Sequence, residues 1–169
     1  MLDKLLPKFK VVEINNVAAL RMGHVIAQTV AKATEVAVKP VGDYKFVENG
    51  IIVGLSKNNR LVNYVEGTHK QPCLVYTEEL VTSGLLSGLN QFANQVDANG
   101  EVYVRALPLN IGDTFTTNNI DGTIPEQGYA KVVNGIITIA EDATDAIFIV
   151  KKSTLPTGEE AAECIYCGK

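Results

Sequence analysis

The spacing of apolar and polar positions predicts a chain built mostly of short β-strands. From residue 44 onward, runs rich in Val, Ile and Tyr show the two-residue period of a strand and are separated by Asn, Gly and Pro. "YKFVENGIIVGL" (44–55) and "KVVNGIITIA" (131–140) share one device, an apolar segment broken by Asn-Gly and resumed by Ile-Ile. Asn and Gly tolerate positive φ, so hairpins are predicted at Asn49-Gly50 and Asn134-Gly135. "SKNNR" (56–60) and "LPTGEE" (155–160) read as further turns. "CLVYT" (73–77), "EVYVRALPL" (101–109), "AIFIVKKSTL" (146–155) and "AAECIYC" (161–167) read as strands.

Two stretches carry a helical period. Leu85, Leu86, Leu89, Phe92, Ala93 and Val96 form an apolar stripe at three and four spacing, which predicts a helix near residues 77–96. Thr77 with two following acids suits its start, whereas Gly84 and Gly88 each cost it about 1 kcal/mol relative to Ala. In residues 17–33, Met22, Val25, Ile26, Thr29, Val30 and Ala33 also follow helical spacing. Gly23 and the β-branched residues suit a strand equally, and the pattern leaves both open. Residues 1–16 read as an N-terminal arm, because Pro7 and the mixed charges discourage a helix and only "FKVVEI" suits a strand. The expected fold is mainly β with one or two helices, an α+β class. It is a compact β-sandwich or barrel-like domain over residues 17–169, preceded by the arm.

Composition narrows the function classes. Of 169 residues, 46% are hydrophobic and 20% charged, an ordinary globular balance. The net charge of −4 provides no general attraction to phosphate backbones, so no nucleic-acid partner is expected. No apolar run approaches the ~18 residues of a membrane span, and Pro7 and Lys8 interrupt any signal-peptide core. No membrane partner is expected, and synthesis in a cytoplasm is. The charge is unevenly placed: residues 1–45 carry a net of +3 and the remainder −7.

Candidate chemistry is sparse. Cys164 and Cys167 form a CxxC, but a strand places residues three apart on opposite faces, so no zinc site is expected. His24 and His69 are the only histidines, and no G-x-S-x-G nucleophile motif accompanies them. A small hydrolase using His69 or Cys73 is the least favoured reading. Glu78-Glu79, Glu141-Asp142 and Glu159-Glu160 are sequence neighbours at turns or a helix start, where solvation explains them. "NIGDTFTTNNIDG" (110–122) offers Asp113 and Asp121 but lacks the alternating acids of a calcium loop. It reads as a rigid structural loop. Gly112 and Asp113 make its turn, Phe115 anchors it to the core, and Thr116 and Thr117 bond its backbone. No catalytic, cofactor-binding or metal residue is assigned, and no cofactor is expected.

The segment G-D-x-F-T-T at Gly112–Thr117 and the hairpin V-x-x-x-T-L-P-x-G at Val150–Gly158 lie in the order strand, small β region, closing hairpin. Across residues 72–169 this order resembles head-associated or capsid-decoration proteins of tailed bacteriophages. The resemblance implies a non-enzymatic virion protein on the capsid exterior, with the major capsid protein as partner, made in a host bacterial cytoplasm. A homotrimer would match the threefold positions of a capsid lattice. The arm, through Leu5, Leu6, Lys8, Phe9 and Lys10, is the expected partner-binding element. The alternative is a surface-exposed binding module for carbohydrate or a host receptor.

Overall fold

The computed structural model describes residues 10–19, 25–77 and 94–168. Among the described residues the strands are β1 (Val12–Asn16), β2 (Ile26–Lys32), β3 (Lys39–Val41), β4 (Tyr44–Phe46) and β5 (Ile52–Leu55). Next come β6 (Leu61–Asn63), β7 (Cys73–Val75), β8 (Glu101–Pro108), β9 (Thr114–Thr117) and β10 (Ile120–Asp121). The last are β11 (Gln127–Val133), β12 (Ile136–Ala140), β13 (Phe148–Thr154) and β14 (Glu160–Tyr166). The protein is mainly β, as its sequence pattern predicts.

The strands form a closed barrel and a larger sheet. The barrel runs β2-β6-β5-β7-β8 and closes where β8 meets β2. Its neighbours are antiparallel except β2 and β6, which touch in parallel at Ala31 and Leu61. The sheet has seven strands in the order β1-β9-β14-β13-β11-β12-β10. β3 and β4 make a separate hairpin.

Alternation along the sheet sets which face is buried. Val150, Cys164 and Phe115 stand side by side across β13, β14 and β9, and all three are buried. The next register row, Lys151, Glu163 and Thr116, points to the other face. Phe115 and Phe148 meet edge to face, with ring centroids 5.9 Å apart at 88°. These rings share one core with Ile52, Leu74 and Leu107 of the barrel. A second core of Ala31, Val53, Leu61, Val75, Val102 and Val104 belongs to the barrel itself. Burial of the shared apolar face is what joins sheet to barrel.

Three predicted turns form as expected. Val133 pairs with Ile136 across Asn134-Gly135, whose φ values of 50° and 82° mark a two-residue hairpin of the positive-φ kind. Leu55 pairs with Leu61 across "SKNNR", and Thr154 with Glu160 across Pro156–Gly158.

Three expectations require correction, and one open choice is decided. Asn49-Gly50 is a turn but not a hairpin, since β4 pairs with β3 while β5 pairs with β6 and β7. Residues 26–32, open between helix and strand, are β2, fixed by antiparallel pairing with β8. Residues 12–16, read as part of the arm, instead add edge strand β1 to the sheet, the strand that "FKVVEI" suits. Thr114–Thr117 is not loop but strand β9, held between β1 and β14. Of the helix expected near 77–96, residues 78–93 lie outside the described residues. Its last residues are not helical: Asn94 has φ 59° and Gln95 bridges Phe46.

Candidate functional site

The polar stretch 110–122 is where the N-terminal strand, the sheet and the barrel meet. Asn110–Gly112 turns the chain after β8, with Gly112 at φ 92°. Asp113 then faces inward and is buried. Its Oδ1 accepts the Ala18 N–H at 3.0 Å and its Oδ2 accepts the Asn110 N–H at 2.8 Å. One carboxylate thereby closes its own turn and holds the chain that follows β1. A carboxylate with both oxygens occupied by backbone donors is a pin rather than a base.

Asp113→Ala leaves both backbone donors without their acceptor in a buried site. The expected loss is about 1–3 kcal/mol, read as a lower urea midpoint at unchanged slope. Asp113→Asn keeps an acceptor oxygen and should lose less.

The residues after Asp113 work outward in order. Phe115 fills the shared core. Thr116 Oγ1 donates to Asn15 Oδ1 at 2.9 Å, and Thr117 Oγ1 donates to the Val11 carbonyl at 2.9 Å. Asn118 Oδ1 accepts the Val11 N–H at 2.8 Å, while its Nδ2 donates to Glu159 Oε2 at 2.9 Å. Asn119 Nδ2 donates to the Asn49 carbonyl at 2.8 Å, which ties the sheet to the barrel's approach turn. These side chains clasp the chain where it enters β1.

Lys10 is part of this clasp. Its backbone N–H donates to Glu48 Oε1 at 3.0 Å, and its ammonium donates to the Asn118 carbonyl at 3.0 Å. Glu48 is buried and also meets Lys39 Nζ at 3.1 Å, so its charge is compensated. The other expected docking residues, Leu5, Leu6, Lys8 and Phe9, lie outside the described residues.

Sequence reasoning missed the asparagines behind the clasp. Asn49 Oδ1 accepts the Thr77 N–H and its Nδ2 donates to the Thr77 carbonyl, both at 2.9 Å. Asn94 Nδ2 donates to the Val47 carbonyl at 3.1 Å, and its Oδ1 accepts from Thr77 Oγ1 at 3.1 Å. Thr77 and Asn94 therefore sit against one another on either side of residues 78–93. The available signal was Asn beside Gly in an apolar run, which sequence alone reads as a turn.

His69 and the cysteines are the remaining candidates. His69 Nδ1 accepts the Val65 N–H at 2.9 Å and so closes the turn between them. Its ring lies over Gly54, where a Cβ would come 2.3 Å from His69 Cγ. Cys73 and Cys164 are buried, Cys167 is half-buried beyond the end of β14, and all three are free thiols. Among the described residues, no three His, Cys, Asp or Glu side chains group as a metal site. Among them, too, no helix is long and apolar enough to cross a membrane.

Burial pushes the Cys73 thiol from 9.0 up to about 12 and raises Cys164 as well. Tyr64 and Tyr166 move the same way, again chiefly through burial. The folded state thus holds these protons more tightly than the unfolded chain. The contribution of Cys73 to stability is complete below about pH 9 and is lost as pH rises from there toward 12. Urea midpoints should therefore fall as pH rises from about 9 toward 12, and Cys73→Val should reduce that fall. At neutral pH a thiol reagent should label Cys167 before the two buried cysteines.

Comparison of the chain with protein-family models, with curated proteins and with solved structures finds no match.

Proposed function

We propose that the chain is a virion structural protein that binds the outer surface of a phage capsid and reinforces it. The reading rests on the resemblance of residues 112–117 and 150–158 to capsid-decoration proteins. One observation supports it. The two segments are distant in sequence yet lie in one sheet, where β14 pairs with β9 on one side and β13 on the other, and Asn118 bonds Glu159 just beyond them. The clasp around them holds Lys10 and Val11, and in this reading it anchors the residues that make the contact. In this reading residues 1–9 supply the contact with the major capsid protein. A homotrimer would repeat that contact three times, and linked weak contacts gain from high effective concentration.

Two truncations separate the arm from the fold. Removal of residues 1–9 should leave the melting curve unchanged and abolish capsid binding. Removal of residues 1–16 also strips β1 from β9 and uncovers Phe115, so it should lower the melting temperature or cause aggregation. Equal melting of the two variants would refute the boundary. Light scattering should give three times the chain mass. A stable monomer at high concentration would exclude a preassembled trimer.

The carbohydrate reading keeps one foothold. Tyr103 is 60% exposed on β8 with Arg105 exposed two residues on, along the same side of the strand. A glycan array tests it, with Tyr103→Ala expected to remove any signal that arises there.

A further inference from the structure

The chain contains three Asn-Gly pairs: Asn49-Gly50, Asn99-Gly100 and Asn134-Gly135. Asn-Gly is the dipeptide most open to spontaneous cyclisation, because glycine offers no side chain to hinder attack by its own nitrogen. The fold places the three in different surroundings.

Asn49 is buried, with both amide atoms bonded to Thr77, and the Gly50 N–H donates to the Val75 carbonyl at 3.0 Å. Electrophile and nucleophile are both engaged. Asn99 is exposed, but its N–H donates to Asp97 Oδ1 and the Gly100 N–H donates to the Asp97 carbonyl at 3.1 Å. Its nucleophile is therefore held. Asn134 is exposed at the tip of the β11–β12 hairpin, and Gly135 beside it is buried, with its carbonyl rather than its nitrogen bonded to Ile52.

From these surroundings we infer that Asn134-Gly135 is a built-in site of spontaneous deamidation and backbone isomerisation. The Gly135 nitrogen attacks Asn134 Cγ. The new C–N bond forms as the Cγ–Nδ2 bond breaks, and Nδ2 leaves as ammonia with the proton that the Gly135 nitrogen gives up. Water then opens the cyclic imide at either carbonyl, giving aspartate or isoaspartate at position 134. Isoaspartate inserts the former side-chain methylene into the backbone of the turn.

The position of this turn gives the reaction a structural consequence. The Gly135 carbonyl accepts the Ile52 N–H at 2.8 Å, a direct bond from sheet to barrel. A Cβ at Gly135 would lie 2.3 Å from Asn63 Oδ1, the oxygen that accepts the Ala37 N–H at 3.0 Å. A lengthened backbone at this contact displaces the Gly135 carbonyl and loosens the seam as the molecule ages.

The test is to hold the full chain in mildly alkaline buffer and follow each Asn-Gly peptide by mass spectrometry, with isoaspartyl methyltransferase labelling to mark the isomer. Asn134 should convert first, and about tenfold or more faster than Asn49, whose conversion requires local opening of its two hydrogen bonds to Thr77. The aged protein should melt below the fresh protein. Asn134→Gly keeps a turn that tolerates positive φ but cannot cyclise, so its melting should hold on ageing. Conversion of Asn49 or Asn99 ahead of Asn134 would overturn the inference. Melting unchanged after Asn134 has converted would overturn the proposed effect on the seam.

Discussion

Phe115→Ala should destabilise the protein by about 3–5 kcal/mol, the largest loss expected from any single side chain in the 110–122 stretch. The ring is fully buried, 0% exposed, and sits edge-on to Phe148 where the sheet meets the barrel. Its neighbours in register are Ile14 on one side and Cys164 on the other, so they cannot collapse into the space without breaking β-ladder pairs. The loss is therefore a transfer cost plus a cavity cost. Urea unfolding should show a lower midpoint with an unchanged slope. Phe115→Leu, which leaves a smaller cavity, should recover a large part of it. A loss below about 1 kcal/mol would mean that the ring is not the keystone of the shared core.

Gly50→Ala should cost on the order of 3 kcal/mol, although only one methyl is added. Two effects act together. Gly50 has φ 87°, where any Cβ is strained, and the methyl would come 2.7 Å from Thr117 Oγ1 and 2.8 Å from Asn119 Cβ. Neither neighbour is free to retreat, since Thr117 Oγ1 donates to Val11 and Asn119 Nδ2 to Asn49. Gly158→Ala is the control, with a similar φ of 85° and nothing near its Cβ. The difference in unfolding free energy between the two variants isolates the collision from the strain. Equal losses would remove the close approach of turn and clasp from the account.

These residues show why part of the structure was legible in sequence and part was not. Val102, Val104 and Ala106 of β8 and Phe148 and Val150 of β13 are buried at two-residue spacing, so alternation marked these strands directly. The same signal failed for β9. Three of its four residues are Thr, whose hydroxyls suggest a loop while their β-branched carbons favour a strand. β2 was ambiguous because the three and four spacing of its apolar residues fits a helix, and only pairing with β8 decides. Asn49-Gly50 and Asn134-Gly135 read alike locally but diverge for a reason about 70 residues away in sequence. Thr117 and Asn119 pack on the first, whereas the second turns back on itself. In the clasp, Asp113 and Phe115 were identifiable from their own chemistry. Their partners were not, because the Ala18 N–H and the Val11 carbonyl are backbone groups that leave no mark in composition. Glu48 left a faint one, an acid inside an apolar run, and that is where Lys10 is tied.

The proposed role depends on the chain ahead of Lys10 acting from a root that folds without it. Co-sedimentation of full-length protein and of the variant lacking residues 1–9 with undecorated phage heads tests this directly. The account predicts that at micromolar concentration the full-length protein pellets with the heads up to a saturating ratio, while the truncated variant, equally folded, stays in the supernatant. A folded full-length protein left wholly in the supernatant, or a truncated variant that pellets as well as the intact chain, would contradict it.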